Sequence, residues 1–183
     1  LNMVEVEIKV PVVDENQLIT QLEMMGFAKS KSMRESDIYF DNEQAQIKNS
    51  DGALRIRSCE NRTDHTSNVF LTYKGPKMDA ISMTRKEFET QIGDMETGKQ
   101  ILMSLGFNRL YSVVKTRQYY VLGQVTACLD QVEDLGTFLE LEIIVENDDE
   151  KEQALSVLLD LIKRLGYKKE DLIRRSYLSM LQG

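Results

Sequence analysis

The run MVEVEIKVPV at residues 3–12 alternates apolar and charged residues. Successive side chains of an extended strand point to opposite faces. Val4, Val6, Ile8 and Val10 therefore share one side, and Glu5, Glu7 and Lys9 share the other, about 7 Å apart at steps of two. Any fold for this chain has to give one face of that strand an apolar neighbour. It must also give two carboxylates and an ammonium a place to stand in line.

The pattern recurs. Runs rich in β-branched and aromatic residues predict further strands at 37–41 (DIYFD), 52–59 (GALRIRSC), 68–75 (NVFLTYKG), 80–90 (AISMTRKEFET), 112–121 (SVVKTRQYYV), 124–132 (QVTACLDQV) and 137–146 (TFLELEIIVE), eight in all. The polar stretch ENRTDHTSN separates the third from the fourth and reads as an exposed loop that holds the only histidine, His65. Helical periodicity predicts helices over 14–25, 94–105 and 149–165, the first two opening on an aspartate suited to N-capping. All three end on Gly-aromatic: MMGFAK, SLGFNR and RLGYKK. A last helix is expected in DLIRRSYLSML. Strand, helix and further strands occur twice, over about 3–75 and 80–146, which suggests two similar halves of one sheet. No linker rich in Gly, Pro or Ser divides the 183 residues, so a single domain, 1–183, is expected. Eight mainly antiparallel strands with few helices predict an α+β protein built on a closed barrel with flanking helices.

Composition narrows the partners. The net charge of −7 argues against nucleic acid or an anionic membrane as the main partner, though not against a small polyanion in a local basic site. No apolar run approaches the roughly 20 residues that a membrane-spanning helix needs. No secretory leader is visible, and the two cysteines, Cys59 and Cys128, lie too far apart for a metal motif. The chain is therefore expected to be cytoplasmic, with reduced thiols.

One face of nearly every predicted strand is charged. The acids are Glu5, Glu7, Glu87, Glu89, Asp130, Glu140 and Glu142; the bases are Lys9, Arg55, Arg57, Lys74, Arg85, Lys115 and Arg117. A solvated face explains any one strand, but not paired Glu and Arg on seven of them. Buried charges are costly unless paired or ligated. An interior of this kind suits a ligand charged in both senses, such as a triphosphate with divalent cations. Arg and Lys take phosphate oxygens, and clustered carboxylates take Mg²⁺ or Mn²⁺. In the empty interior the acids are expected to cluster apart from the bases.

Glu5-Val6-Glu7-Ile8-Lys9 fits E-x-E-x-K, the signature of the CYTH superfamily, or triphosphate tunnel metalloenzymes, which the chain resembles along nearly its whole length. The words DIYFD, ALRIR, LTYKGP, VVKTRQYY, LDQVEDLGTFLELE and RRSYLSML bring it nearest the class IV adenylate cyclases. The resemblance implies an eight-stranded tunnel. It implies metal ligands at Glu5, Glu7 and Glu140, with Glu142 in the same cluster. Phosphate binders fall on Arg55, Arg57, Lys74, Lys115 and Arg117, with Lys9 and Arg85 nearby. Lys9 and Asp130 are the candidate catalytic groups, and the general base stays open between them. The implied reaction converts ATP to cyclic AMP and pyrophosphate. The alternative is hydrolysis of thiamine triphosphate, inorganic tripolyphosphate or a nucleoside triphosphate; a third reading is a non-enzymatic anion-binding barrel. The resemblance also implies a homodimer, to which the apolar residues Leu172, Ile173, Tyr177, Leu178 and Leu181 add a clue.

Overall fold

A computed structural model describes residues 3–183. Eight strands, β1 (Met3–Pro11), β2 (Ala28–Asp41), β3 (Ala53–Asn61), β4 (Ser67–Lys74), β5 (Arg85–Ile92), β6 (Asn108–Leu122), β7 (Val125–Val132) and β8 (Gly136–Val145), close into a barrel in the order β1-β5-β4-β3-β2-β6-β7-β8. Every neighbouring pair is antiparallel. The helices are α1 (Glu15–Met24), α2 (Gln46–Asn49), α3 (Met95–Ser104), α4 (Lys151–Arg164) and α5 (Tyr177–Leu181). Among the described residues no helix is long and apolar enough to cross a membrane.

The alternation of β1 explains the layering. Val4, Val6, Ile8 and Val10 point outward and are buried with the outer faces of β7 and β8 under α1 and α4, through Leu18, Leu22, Leu158 and Ile162. A second outer cluster joins Phe40 and Ile56 to Leu102 of α3. Gly98 permits that approach, because a Cβ there would stand 2.6 Å from Ile92 Cδ1. Asp14 caps α1 by accepting from Gln17 N at 2.9 Å, and Asp94 caps α3 by accepting from Glu96 N at 2.8 Å. The three Gly-aromatic endings behave alike. Gly26, Gly106 and Gly166 take φ near +90°, and the N–H of the next residue reaches back five positions, as Phe27 N does to Leu22 O at 3.0 Å.

Four element boundaries differ from the expectation. β2 starts at Ala28, because its first half, AKSKSMRE, carries little apolar sequence and is held by pairing with β3 and β6. β6 likewise extends back to Asn108. β5 starts only at Arg85, since the side chain of Asp79 folds residues 79–82 into a turn by accepting from Ile81 N and Ser82 N, each at 2.7 Å. The expected terminal helix breaks into a 3-10 turn (Lys169–Asp171), an extended strap at 172–176 and the short α5. The strap repairs a gap in the barrel. β1 pairs with β8 over eight positions but with β5 over only three. Further along the open edge, Met83 N donates to Glu7 O at 2.9 Å and Ile173 N to Lys9 O at 2.8 Å. The apolar residues of the C-terminal segment are used within the chain. Tyr177, Ile173, Leu178 and Leu181 pack with Tyr39, Val113, Val132 and Phe138 across one end of the lumen, and Leu172 joins the outer core. The clue to a homodimer read from those residues therefore goes, and a dimer rests on resemblance alone.

Candidate active site

The inward face of the barrel carries the charges. Glu5, Glu7 and Lys9 of β1 meet the inward residues of β8 in fixed register: Glu7 opposite Glu142 and Lys9 opposite Glu140. That register separates the two glutamates of β8. Glu142 joins Glu5 and Glu7, and the three offer carboxylate oxygens within 4.8 Å of one another. Glu140 turns to the bases, with Oε1 3.3 Å from Lys9 Nζ and Oε2 against Arg117. The geometric triad is thus Glu5, Glu7 and Glu142, with Glu140 beside it.

The electrostatics follow from that separation. Burial, Glu140 and Glu5 push the Glu7 carboxyl up to about 7. Burial and Glu5 push Glu142 up to about 8. Burial also opposes ionisation of Glu5, but Lys74 and the hydrogen bond with Glu87 outweigh it and hold Glu5 near 2, at about 2. Glu140 lies well below the usual carboxylate range, because Arg117 and Lys9 outweigh its burial. Three carboxylates within reach of one another, two of them kept from ionising freely by burial and neighbouring negative charge, are a fitting set of hard oxygen donors for a divalent cation such as Mg²⁺ or Mn²⁺.

The bases form a connected network with acids between them. Arg117 makes a bidentate pair with Asp130, Nε to Oδ1 at 2.6 Å and Nη2 to Oδ2 at 2.5 Å. Lys115 stands 3.4 Å from both Asp130 and Glu35. Arg57 makes a second fork with Asp37, at 2.6 and 2.7 Å, and reaches Glu35 at 2.9 Å. Lys74 bridges Glu5 and Glu87, the latter at 3.1 Å. Arg55 lies 3.5 Å from Asp37, and its buried Nε has no hydrogen-bond partner among the described residues. Arg85 is the exception among the expected phosphate binders: its guanidinium donates to the carbonyls of Gly75 and Asp51 and lies 3.4 Å from the Asp51 carboxylate, tying two loops together.

Acids and bases are therefore interleaved along most of the wall, and the expected clustering of acids holds only where Glu5, Glu7 and Glu142 meet. Two of the interleaved acids, Glu35 and Asp37 of β2, were absent from the expected set: Glu35 lies just before the strand expected at 37–41, and Asp37 opens it. Their signal was present: Met33, Glu35, Asp37 and Tyr39 share one face at period two. Glu89, counted among the interior acids, is exposed and accepts from Thr72 Oγ1 at 2.8 Å.

These groups open into a cavity of about 490 Å³ that Glu5, Glu7, Lys9, Arg55, Lys74 and Arg117 help to line. Its rim adds residues not anticipated: Lys48, Lys77, Arg174 and Arg175, with Tyr177 covering part of the opening. Cys59 and Cys128 are buried free thiols, and burial pushes both up, Cys59 to about 11.

The profile of the CYTH domain matches residues 3–177. The chain belongs to the CYTH domain family. A Methanocaldococcus jannaschii protein named provisionally as an adenylate cyclase is 41% identical over 178 residues, covering 97% of this chain and 98% of its own. An Aeromonas hydrophila protein named adenylate cyclase is 27% identical over 150 residues, covering 81% of this chain and 73% of its own. Among solved structures, a Pyrococcus horikoshii protein superposes with a TM-score of 0.87 at 37% identity, over 97% of this chain and 98% of that one. A Hippeastrum protein, described as a provisionally named adenylyl cyclase with a dominant triphosphatase activity, superposes at 0.69 with 18% identity, over 98% and 95% of the two chains; at that identity the likeness is one of fold. The CYTH barrel of this chain is thus shared almost end to end with its relatives.

Proposed function

We propose that this CYTH protein is a metal-dependent adenylate cyclase that converts ATP to cyclic AMP and pyrophosphate. The observation that carries the reading is one cavity, about 490 Å³, lined both by carboxylates, with Glu5 and Glu7 of the acidic cluster among them, and by Arg and Lys side chains. It has room for an organic group beyond the phosphate chain and falls in the usual size range of small-molecule sites. The names of the Methanocaldococcus and Aeromonas relatives support it.

In this reading Arg55, Arg57, Lys74, Lys115 and Arg117 hold the triphosphate. Arg57 and Arg117, each fixed by a carboxylate fork, present their remaining N–H groups without reorganising, which is where electrostatic catalysis gains most. The unpartnered Nε of Arg55 gains an acceptor when phosphate enters. The ribose 3′-oxygen bonds to the α-phosphorus, the α–β bridging bond breaks, the hydroxyl proton ends on the released pyrophosphate, and that pyrophosphate leaves into the basic wall. Glu5, Glu7 and Glu142 would hold the divalent cation, with Glu140 beside them; when bound, it supplies Lewis-acid polarisation of a phosphoryl oxygen. Lys9 is placed to counter phosphate charge. Asp130 is saturated by donors from Arg117 and Tyr177, so we assign it to holding the bases and not to taking the 3′-hydroxyl proton.

The Hippeastrum neighbour favours a second reading, in which water attacks a terminal phosphorus in the same tunnel. Incubating the protein with labelled ATP and with tripolyphosphate, each with Mg²⁺ and Mn²⁺, separates them. Cyclic AMP with pyrophosphate is the expected product; orthophosphate release without cyclic AMP would replace the cyclase by a triphosphatase.

A further inference from the structure

The C-terminal segment brings an aromatic side chain into the charged network from outside the barrel. Tyr177, only 6% exposed, opens α5 and packs its ring against Phe138, with centroids 5.2 Å apart. Packing alone would be served by phenylalanine or leucine. The tyrosine does more. Its hydroxyl donates to Asp130 Oδ2 at 2.9 Å. Its ring lies beneath two ammoniums, Lys9 Nζ 4.0 Å and Lys115 Nζ 5.1 Å from the centroid.

The contacts of those three partners show what the side chain sets. An ammonium has three protons to place. Lys9 gives one to Arg175 O at 3.1 Å, on the same strap, and stands 3.3 Å from Glu140. The ring supports the charge without accepting a proton in a hydrogen bond, so donor capacity is left for a ligand. Asp130 Oδ2 already accepts from Arg117 and Tyr177, while Lys115 stands off at 3.4 Å and lines the cavity. Remove the hydroxyl, and that oxygen draws Lys115 inward and away from the phosphate path. Burial, with Glu140 and Asp130 nearby, pushes ionisation of the phenol well up, so it remains a donor.

We propose that Tyr177 is a positioning residue of the triphosphate site: its hydroxyl holds Asp130 and its ring carries Lys9 and Lys115, so that both ammoniums face the phosphates. This rests on the reading of the cavity as a triphosphate site. The C-terminal strap is then part of the site as well as its cover.

The test compares wild type, Tyr177→Phe and Tyr177→Leu. Calorimetry measures tripolyphosphate binding with Mg²⁺, steady-state kinetics measures KM and kcat on whichever triphosphate is turned over, and thermal melts check the fold. Tyr177→Phe keeps the ring and the packing, so triphosphate Kd and KM should rise about threefold; Tyr177→Leu loses both interactions and should lose about tenfold or more. In both, kcat should stay within about twofold, since the loss is of binding to ground and transition state alike. If Tyr177→Leu does not fold, Tyr177→Phe decides alone. Folded variants that bind triphosphate as wild type does, or that lose kcat at unchanged KM, overturn the inference and leave Tyr177 a packing residue. Wild type that binds no triphosphate overturns the proposed function, and this inference with it.

Discussion

At the scale of residues, position in the network sets what each charge does. Glu7 and Glu142 are identical to Glu5 in chemistry, but they hold protons near neutral pH and Glu5 does not, because Lys74 sits against Glu5. Folded-state values raised above the ordinary 4.5 mean that the folded protein binds more protons than the unfolded chain between about pH 4.5 and 8. Metal-free protein should therefore lose stability as pH rises through that window. Acids held low, such as Glu140, withdraw their stabilisation only below it. Melting chelator-treated protein from pH 5 to 8 should show a falling Tm, and Glu7→Gln should flatten the fall. A Tm that climbs over that range would contradict the assignment. Glu7→Gln should also abolish turnover with Mg²⁺ or Mn²⁺ while leaving the fold intact, as the side chain faces the lumen and not the apolar layer. Asp37 predicts the opposite kind of loss. Asp37→Ala leaves Arg55 without its carboxylate and Arg57 with Glu35 alone in a buried site, which should cost about 3–5 kcal/mol in a urea melt; a loss under about 1 kcal/mol would mean that the fork is not structural.

At the scale of elements, alternation made most strands legible and failed where it lacked apolar partners. β1 and β8 were readable because their outward faces are unbroken aliphatic runs. The first half of β2 was not, since it is held by neighbours on both sides and not by its own hydrophobicity. That omission hid Glu35; Asp37, inside the strand read at 37–41, was legible but not counted among the interior acids, and with the two of them went part of the interleaving of the charges. The strap at 172–176 was unreadable for another reason: its partner is the edge of β1, more than 160 positions away in the chain, and no local pattern announces that. Register was equally invisible, so the choice between Glu140 and Glu142 as the third member of the acidic cluster had to await the pairing of Glu7 with Glu142. The strap carries its own prediction. Leu172 is already extended at φ −66° and ψ 128°, a conformation that a following proline tolerates. Ile173→Pro thus removes the N–H bonded to Lys9 O and part of the side chain packed on the Tyr39 and Phe138 cluster, and should destabilise the protein by at least about 1–3 kcal/mol. It should also weaken triphosphate binding, since Lys9 is held by the same strap; unchanged binding in the calorimeter would separate the strap from the site.

At the scale of the whole molecule, a chain with a net charge of −7 gathers 11 of its 23 Lys and Arg residues around one cavity and its opening. Closing the sheet removes its edges and places a charged face where water is scarce. The interleaved ion pairs make that interior tolerable when empty, and the paired bases Arg57, Lys74, Lys115 and Arg117 still line the cavity. A ligand that supplies both phosphate oxygens and divalent charge should bind the folded state and not the unfolded chain. At a hundredfold excess over its dissociation constant it should add about 3 kcal/mol, or roughly 6–12 °C in Tm for a domain of this size. Adenosine touches none of the charged wall and should shift the melt little. Thermal melts of one preparation with tripolyphosphate plus Mg²⁺ and, separately, with adenosine test the triphosphate tunnel most directly. A large upward shift is expected with the first and almost none with the second; equal shifts, or none with tripolyphosphate, would mean that the charged interior is not a triphosphate site.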